Sequence, residues 1–280
     1  MISTLVRLLF KLLFVKNKVS RFLLFFCFLI SPFLFGQEVV STNFVGKERK
    51  FGSEFLGKDL FDSNYWLDGT ILRKVKGLSK KDFQEPTLGK IQSVDFVNPM
   101  QIAVFYSDFN ALVLLDRELT VINQFSFSEL LPSYKLIFVG TSIKNRFWIV
   151  DEVSKSVAWF SPTQHKINTL YRFLNEEVTA YFSDVNNLYW VTETGYLKAI
   201  NIYGKNVLEY YLPKYDALFV VNLHSFLYRL NGELYYVDIK QNKTYRLDLP
   251  LKSTSGFFFN TQKLSIFAQN KLSNFTIKLP

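Results

Sequence analysis

The sequence is poor in the residues from which most chemical sites are built. Its 280 residues include one Cys, two His and two Met. A single Cys cannot form a disulfide within the chain, so a disulfide-stabilised scaffold is excluded. His165 and His224 have no Cys or second His near them in the sequence, which argues against a zinc or copper site.

Phosphate-binding loops and nucleophile motifs are also missing. The 12 Gly form no G-x-G-x-x-G and no complete G-x-x-x-x-G-K-[ST] pattern. No G-x-S-x-G occurs, and a Ser-His-Asp triad is left open only because triads assemble in space. The sequence therefore offers little support for an enzyme.

The N-terminus lacks acidic residues. Residues 1–21 carry five basic side chains and no acid, and 22–30 read FLLFFCFLI. Ser31-Pro32 and Gly36 follow, which completes the pattern of a secretory signal peptide. We predict a signal peptide over 1–36, a mature chain over 37–280, and export to the periplasm or surface of a bacterium.

Two alternatives exist for this segment. An uncleaved anchor helix needs about 20 apolar residues, and Pro32 interrupts the run. A lipoprotein signal at Cys27 would need a small residue before it, where Phe26 stands. Contact with a membrane is expected only through this segment, and only if it is retained.

Much of the positive charge also belongs to the N-terminus. Five of the 33 basic residues but none of the 24 acidic ones precede residue 37, so the net charge falls from +9 to 28 − 24 = +4. That charge and export argue against a nucleic-acid partner.

Beyond residue 37 the apolar pattern is that of strands. Runs of four to seven apolar residues alternate with polar turns, and aromatics make up 18% of the full sequence. Residues 128–131 are the one weak helical candidate. The sequence predicts an all-β fold.

A unit of strand, polar turn and strand is present in five copies. Its copies start at residues 102, 147, 188, 226 and 264, so the period is about 40 residues, which is typical of a β-propeller. Apolar runs precede the copies at 91–97, 136–141, 178–183, 217–223 and 256–260. Outer strands follow the first four at 119–127, 166–173, 206–212 and 243–249.

Closure of the propeller is predicted from its two ends. The last copy lacks a fourth strand, and residues 38–46 lack a nearby partner, so we expect these two ends of the chain to pair. Residues 52–90 are interpreted as a degenerate first blade with a hairpin of 60–67 and 70–75. The count is six blades, with five or seven as alternatives.

Two copies carry a recognisable motif. FWIVDEVSKSVAWFSP and IAVFYSDFNALVLLDREL resemble the NHL type of propeller repeat, in which an Asp and a short turn separate apolar strands. The later copies depart from it at Thr192 and Leu230. The resemblance implies a six-bladed propeller and no particular activity, because the family consists mostly of binding proteins.

Candidate ligand contacts lie in or near the polar turn inside each copy, which joins the second and third strands of a blade. The carboxylates and amides of these turns could bind Ca²⁺ or act as acid and base. Alternatively, these side chains form hydrogen bonds to the backbone of their own turns. Three aromatic residues near these turns are candidates for stacking on a ligand. The candidates are Tyr65, Trp66, Tyr106, Asp108, Asn110, Asp151, Glu152 and Glu193.

A basic run, KVKGLSKKD, contains Lys74, Lys76, Lys80 and Lys81. It is interpreted either as a contact for acidic glycans or lipid headgroups or as a solvated loop.

The functional hypothesis is a secreted, non-enzymatic module that binds a protein or glycan. The alternative is a propeller-type hydrolase or lactonase with a carboxylate or Ca²⁺ site at the channel mouth. No metal ligand or cofactor beyond that Ca²⁺ ion is predicted.

Overall fold

The computed structural model describes residues 38–173, 176–250 and 256–279, and the proposed signal peptide lies outside them. The described chain is all-β, with 24 strands and two short helical turns. Residues Val39–Pro280 form one compact unit by themselves. No helix among the described residues has the length and apolar character needed to cross a bilayer.

The first strand, β1 (Glu38–Arg49), belongs to the last sheet of the chain, and the strands after it form four-stranded sheets in chain order. Sheet 1 contains β2 (Glu54–Lys58), β3 (Asn64–Asp68), β4 (Ile71–Lys76) and β5 (Ser79–Phe83). Sheet 2 contains β6 (Ser93–Asp95), β7 (Ile102–Tyr106), β8 (Ala111–Leu115) and β9 (Val121–Ser126). A 3₁₀ turn, Pro86–Leu88, precedes β6, and helix α1, Phe127–Leu130, follows β9.

The next two sheets repeat this arrangement. Sheet 3 contains β10 (Leu136–Thr141), β11 (Phe147–Asp151), β12 (Ser156–Ser161) and β13 (Lys166–Arg172). Sheet 4 contains β14 (Val178–Ser183), β15 (Asn187–Thr192), β16 (Tyr196–Asn201) and β17 (Asn206–Tyr211).

The remaining strands form one eight-stranded sheet in which β1 lies between two groups. The first group is β18 (Ala217–Asn222), β19 (Ser225–Leu230), β20 (Glu233–Asp238) and β21 (Lys243–Asp248). The second is β22 (Gly256–Asn260), β23 (Lys263–Ala268) and β24 (Lys271–Ile277). The sheet order is β18-β19-β20-β21-β1-β24-β23-β22.

The sheets are arranged as a β-propeller. Their first strands are neighbours: β6 lies beside β10, β10 beside β14, and β22 beside both β18 and β2. Six hydrophobic clusters fill the interfaces between successive groups of strands. Large rings dominate this core, since Trp66, Trp148 and Trp190 are each fully buried.

Each group of strands has two ends. At the connection end lie the turns between second and third strands and the links between sheets. At the opposite end, called the far end here, lie the turns between first and second and between third and fourth strands. This alternation follows from the antiparallel pairing of consecutive strands.

The predicted pairing of the first and last strands is confirmed. β1 runs antiparallel to β24, from Thr42 opposite Ile277 to Arg49 opposite Lys271. The strand is longer than the predicted 38–46, and a register shift at Phe44/Gly46 bends it. Both neighbouring edges are therefore covered by one strand.

Most predicted strands are found within one or two residues of their expected bounds. The repeat at 147–162 is the hairpin of β11 and β12, with Asp151 opposite Ser156. The expected run at 91–97 contains only β6, because the Asp95 carboxylate accepts the Val97 backbone N–H and starts a turn. The helical candidate at 128–131 is α1, displaced by one residue.

Sheet 1 departs most from the prediction. Its second strand begins at Asn64 rather than at residue 60, because Asp59 Oδ1 accepts the backbone N–H groups of Phe61 and Ser63, both at 2.9 Å. The interpretation of the basic run as a loop is wrong. It forms the β4–β5 hairpin, whose turn places Gly77 at φ 58°, where an L-residue is disfavoured.

An Asp locks the first turn in two of the sheets, and it is buried in sheet 1 and partly exposed in sheet 4. Asp59 accepts the Tyr65 hydroxyl at 3.1 Å in sheet 1, and Asp184 accepts the Tyr189 hydroxyl at 2.6 Å in sheet 4. Asp184 also accepts the Asn187 backbone N–H at 2.8 Å. In both cases one carboxylate joins the turn to a buried ring on the second strand.

Candidate functional site

A cleft of about 600 Å³ opens between sheet 1 and the strands β1, β24 and β23. Both apolar and polar side chains line it. The polar group of Glu48, Lys58, Asn64 and Asn274 is called the floor here, and the pair of Asp62 and Lys263 is called the rim. The lining residues are Val45, Glu48, Arg49, Phe51, Lys58, Asp62, Asn64, Val75, Gly77, Lys263, Ser265, Asn274, Phe275 and Thr276. The size is that of pockets that take small ligands or short peptide segments.

Glu48 is the centre of the polar floor. Its carboxylate accepts Lys58 Nζ at 2.8 Å, Asn64 Nδ2 at 2.6 Å and Asn274 Nδ2 at 2.6 Å. Lys58 and Asn64 belong to sheet 1, whereas Glu48 lies on β1 and Asn274 on β24. The same carboxylate therefore joins the two walls of the cleft.

The surroundings of Glu48 keep it ionised. Burial alone would raise its pKa, but the hydrogen bond and charge of Lys58, with the two Asn amides, outweigh burial and hold the pKa below its ordinary value. An ionised carboxylate has no proton to give, so Glu48 is suited to fixing a ligand's position rather than to acting as a general acid.

One acceptor on the cleft floor is left over. Asn64 is 3% exposed, and its Oδ1 has no hydrogen-bond partner among the described residues. A buried unpartnered carbonyl costs free energy, but this oxygen is covered by protein, so a ligand in the cleft reaches it only if neighbouring side chains move. At the rim, Lys263 Nζ pairs with both carboxylate oxygens of Asp62, at 2.9 and 3.0 Å.

The Glu48 network predicts a pH-dependent contribution to stability. Because its folded-state pKa is lowered, its contribution is fully present above the ordinary value of 4.5 and is lost as the pH falls through the folded-state pKa. We expect Glu48→Gln to lower the free energy of unfolding by about 1 kcal/mol at pH 7 and by much less at pH 3.

Urea unfolding at both pH values measures this difference. Glu54→Gln, at an exposed position on β2, is the matched control and should show no such pH-dependent gap. Equal destabilisation of Glu48→Gln at both pH values would contradict an ionised Glu48.

The three predicted aromatic contacts are part of the core. Tyr65, Trp66 and Tyr106 are each 0% exposed. Tyr65 stacks on Phe96 with ring centroids 4.4 Å apart. The Tyr106 hydroxyl has no partner among the described residues, and burial, with the charge of Glu85, raises its pKa to about 12. A surface ligand does not reach these rings in this structure.

Two of the predicted polar residues bond to the backbone. Asp151 Oδ1 accepts the Lys135 N–H at 2.8 Å, and its Oδ2 accepts both the N–H and the hydroxyl of Ser154. Asn110, at φ 48°, donates to the Tyr134 carbonyl and accepts the Leu136 N–H. Asn110 therefore ties the connection end of sheet 2 to the segment that leads into sheet 3, and Asp151 ties its own turn to that same segment.

The other three predicted polar residues lie at the connection end with exposed side chains. Asp108 and Glu193 are exposed in the turns after β7 and β15. Glu152 pairs with Lys135 at 2.6 Å, with both side chains more than half exposed. These positions are accessible to a partner but belong to three different sheets.

The described residues contain no group of three or more His, Cys, Asp or Glu side chains placed to hold a metal ion. Both His are exposed; His165 contacts the Phe125 ring edge at 5.9 Å between centroids, and the His224 backbone N–H is held by Asn222.

Sequence reasoning missed the cleft itself. Its floor combines residues 48, 58, 64 and 274, which no local pattern connects. The Asp locks did leave a signal, because DLFDSNYW, which begins at Asp59, and DVNNLYW, which begins at Asp184, both end in a buried Tyr-Trp pair on the second strand of the sheet.

Comparison with solved structures supports the fold. The chain resembles virginiamycin B lyase from Staphylococcus aureus with a TM-score of 0.52 and 10% identity over 79% of each chain. It resembles the Cps50 (Swd1) β-propeller domain of Myceliophteria thermophila with a TM-score of 0.54 and 10% identity over 85% of this chain and 100% of that one.

A third similar structure is the extracellular domain of a putative one-component system from B. thetaiotaomicron. Its TM-score is 0.52 at 10% identity, over 80% of this chain but only 33% of that one. No protein-family model and no curated protein matches the chain. At these identities the likeness shows the β-propeller fold alone.

Proposed function

We propose that this chain is a non-enzymatic binding module of the bacterial envelope that recognises a protein or glycan through the cleft beside β1. The observation that carries the proposal is the floor of the cleft, where an ionised Glu48, fixed by Lys58, Asn64 and Asn274, lies beside apolar lining residues. Such a mixture of apolar area and a few fixed polar groups is typical of recognition sites.

The architecture proposed for this module has six blades. β1 divides the eight-stranded sheet into two groups, and their first strands, β18 and β22, are neighbours of each other. A separate hydrophobic cluster lies on each side of these groups. With sheets 1–4 they make six units, in keeping with the NHL-like repeats at 102–119 and 147–164.

The chemistry of the cleft favours a ligand with both hydroxyl or amide groups and apolar faces. Val45 and Phe51 offer apolar contact, whereas Glu48 offers a charged acceptor. Sugar rings and peptide segments both combine these features. Asp108, Glu152 and Glu193 at the connection end are proposed as a second contact for a protein partner.

Export is part of the proposal. It is supported by the signal-like sequence of residues 1–36 and by the extracellular origin of one similar propeller.

A variant that fills the cleft tests this function. Thr276 is exposed on β24 and lines the cleft, so Thr276→Trp should occupy the space without disturbing the core. An array of oligosaccharides and peptides first identifies ligands of residues 38–280. We expect these ligands to bind the Thr276→Trp variant at least about tenfold more weakly than the wild type.

Thr169→Trp is the matched control, because Thr169 is equally exposed on an outer strand, β13, and does not line the cleft. Ligands that bind wild type, Thr276→Trp and Thr169→Trp equally would place recognition elsewhere and contradict the proposal.

The enzymatic alternative, a hydrolase or lactonase with a carboxylate or Ca²⁺ site at the channel mouth, has less support. Its predicted carboxylates are divided between different sheets, and Asp151 already accepts four hydrogen bonds from its own turn and Lys135. Thermal unfolding with Ca²⁺ and with EDTA tests it, since an ion bound only by the folded state raises the midpoint.

A further inference from the structure

A second cavity, of about 280 Å³, lies at the far end of sheet 1, where the β4–β5 hairpin approaches the turn after β8. Cationic side chains and two hydroxyls line most of it: Lys74, Lys76, Lys81, Arg117, Ser63 and Ser79. It is separate from the cleft described above except that the β4–β5 hairpin borders both.

The cations of this pocket are held to different degrees. Lys74 is fixed, because its Nζ lies 3.3 Å from Asp59 Oδ2 and donates to the Arg117 carbonyl at 3.1 Å. Lys81 and Arg117 share one exposed carboxylate, Glu118, at 3.6 and 3.2 Å. Exposed ion pairs of this kind are weak, so an anionic group can replace Glu118 as the partner.

Large apolar side chains project beside these cations. Leu78, at the tip of the β4–β5 turn, is 105% exposed, and Leu60 and Phe61, in the turn after β2, are 70% and 53% exposed. Phe61 lines the pocket, and the Lys76 Nζ lies 6.0 Å from its ring centroid. Binding of a soluble anion would not involve contacts with these apolar side chains.

We propose that this far-end surface docks on an anionic phospholipid bilayer. Leu78, Leu60 and Phe61 enter the headgroup region, and Lys76, Lys81 and Arg117 contact lipid phosphates. Apolar tips surrounded by Lys and Arg are complementary to such an interface, which attracts cations and accepts apolar side chains. The propeller itself then meets the membrane, contrary to the expectation that only residues 1–36 do so.

The test is co-sedimentation of residues 38–280 with vesicles, after cooperative unfolding has shown that each protein is folded. We expect binding to phosphatidylcholine vesicles containing about 30% phosphatidylglycerol and little binding to pure phosphatidylcholine. Replacing both Lys76 and Lys81 by Gln should lower the partition coefficient about fivefold per lysine. Leu78→Ser should lower it about fivefold as well, through lost apolar insertion.

The control variant carries Val153→Ser and Lys155→Gln. Val153 is 68% exposed and Lys155 lies two residues later in the β11–β12 turn at the connection end, so the same chemical changes there should leave vesicle binding unchanged. Raising the salt concentration from about 0.05 M to about 0.5 M should weaken binding of the wild type.

Several results would overturn the proposal. One is failure to bind the anionic vesicles, and another is equal binding to both vesicle types. Loss of binding with the lysine variant but not with Leu78→Ser would indicate a purely electrostatic site. A higher unfolding midpoint in inorganic phosphate, without vesicle binding, would identify a pocket for a soluble anion instead.

Discussion

Removal of β1 is expected to prevent the propeller from forming. A chain that begins at residue 50 loses the strand that covers β24 and lies beside β21. It also loses Glu48, which leaves Lys58, Asn64 and Asn274 without their shared acceptor. The combined loss should exceed the 5–15 kcal/mol by which domains are usually stable.

Far-UV and near-UV circular dichroism of chains that begin at 38 and at 50 measure this effect. The chain that begins at 38 should unfold cooperatively, whereas the shorter chain should aggregate or lack fixed tertiary packing, because two open sheet edges invite pairing between molecules. A synthetic peptide of residues 38–49 should restore the cooperative transition when added during refolding. A stable, cooperative chain beginning at 50 would contradict the closing role of β1.

Asp59→Ala is expected to lower the free energy of unfolding by about 3–5 kcal/mol. The Asp59 side chain is fully buried and accepts hydrogen bonds from two backbone N–H groups and the Tyr65 hydroxyl. Its loss also leaves the nearly buried Lys74 ammonium without an anion, and breaking a buried pair costs more than the pair contributes.

Asp62→Ala is the matched control for urea unfolding of this variant. Asp62 lies three residues away in the same turn, but its ion pair with Lys263 is about 60% exposed on both sides, so the expected change is under about 1 kcal/mol. Asp184→Ala should destabilise less than Asp59→Ala, because Asp184 holds Tyr189 in the same way but is partly exposed, whereas Asp59 is buried and also balances the Lys74 charge. Similar small effects for Asp59→Ala and Asp62→Ala would show that the turn is not held by the Asp59 carboxylate.

The parts of the fold that followed from sequence are those with local causes. β11 and β12 alternate between two buried faces around a short turn, so their apolar runs indicate their bounds directly. Pairing of β1 with β24 was predictable because the last repeat copy lacks a fourth strand and residues 38–46 lack a partner nearby in the sequence. Sheet 1 was less predictable, because the apolar pair Leu60-Phe61 extends an apolar run into a turn that only the Asp59 hydrogen bonds reveal.

The candidate sites were less accessible to sequence reasoning than the fold. Tyr65 and Trp66 are near a turn in sequence, yet packing against Phe96 and Phe267 buries them. Asp151 is a residue type that often binds ligands, but here its carboxylate accepts hydrogen bonds from its own turn. Conversely, Glu48 and Asn274 meet across 226 positions of sequence, and the Leu78 tip is recognised as exposed only when the hairpin around it is seen.

The position of β1 also has a consequence for the order of folding. Its partner β24 is the last of the described strands, so during synthesis β1 is made long before the strand with which it pairs. Contacts of such large sequence separation form slowly, because the entropy of closing the loop is lost before the contact is gained. Until then Val39, Phe44 and Val45 remain on an unpaired strand, which is a natural binding site for a chaperone that shields extended apolar segments.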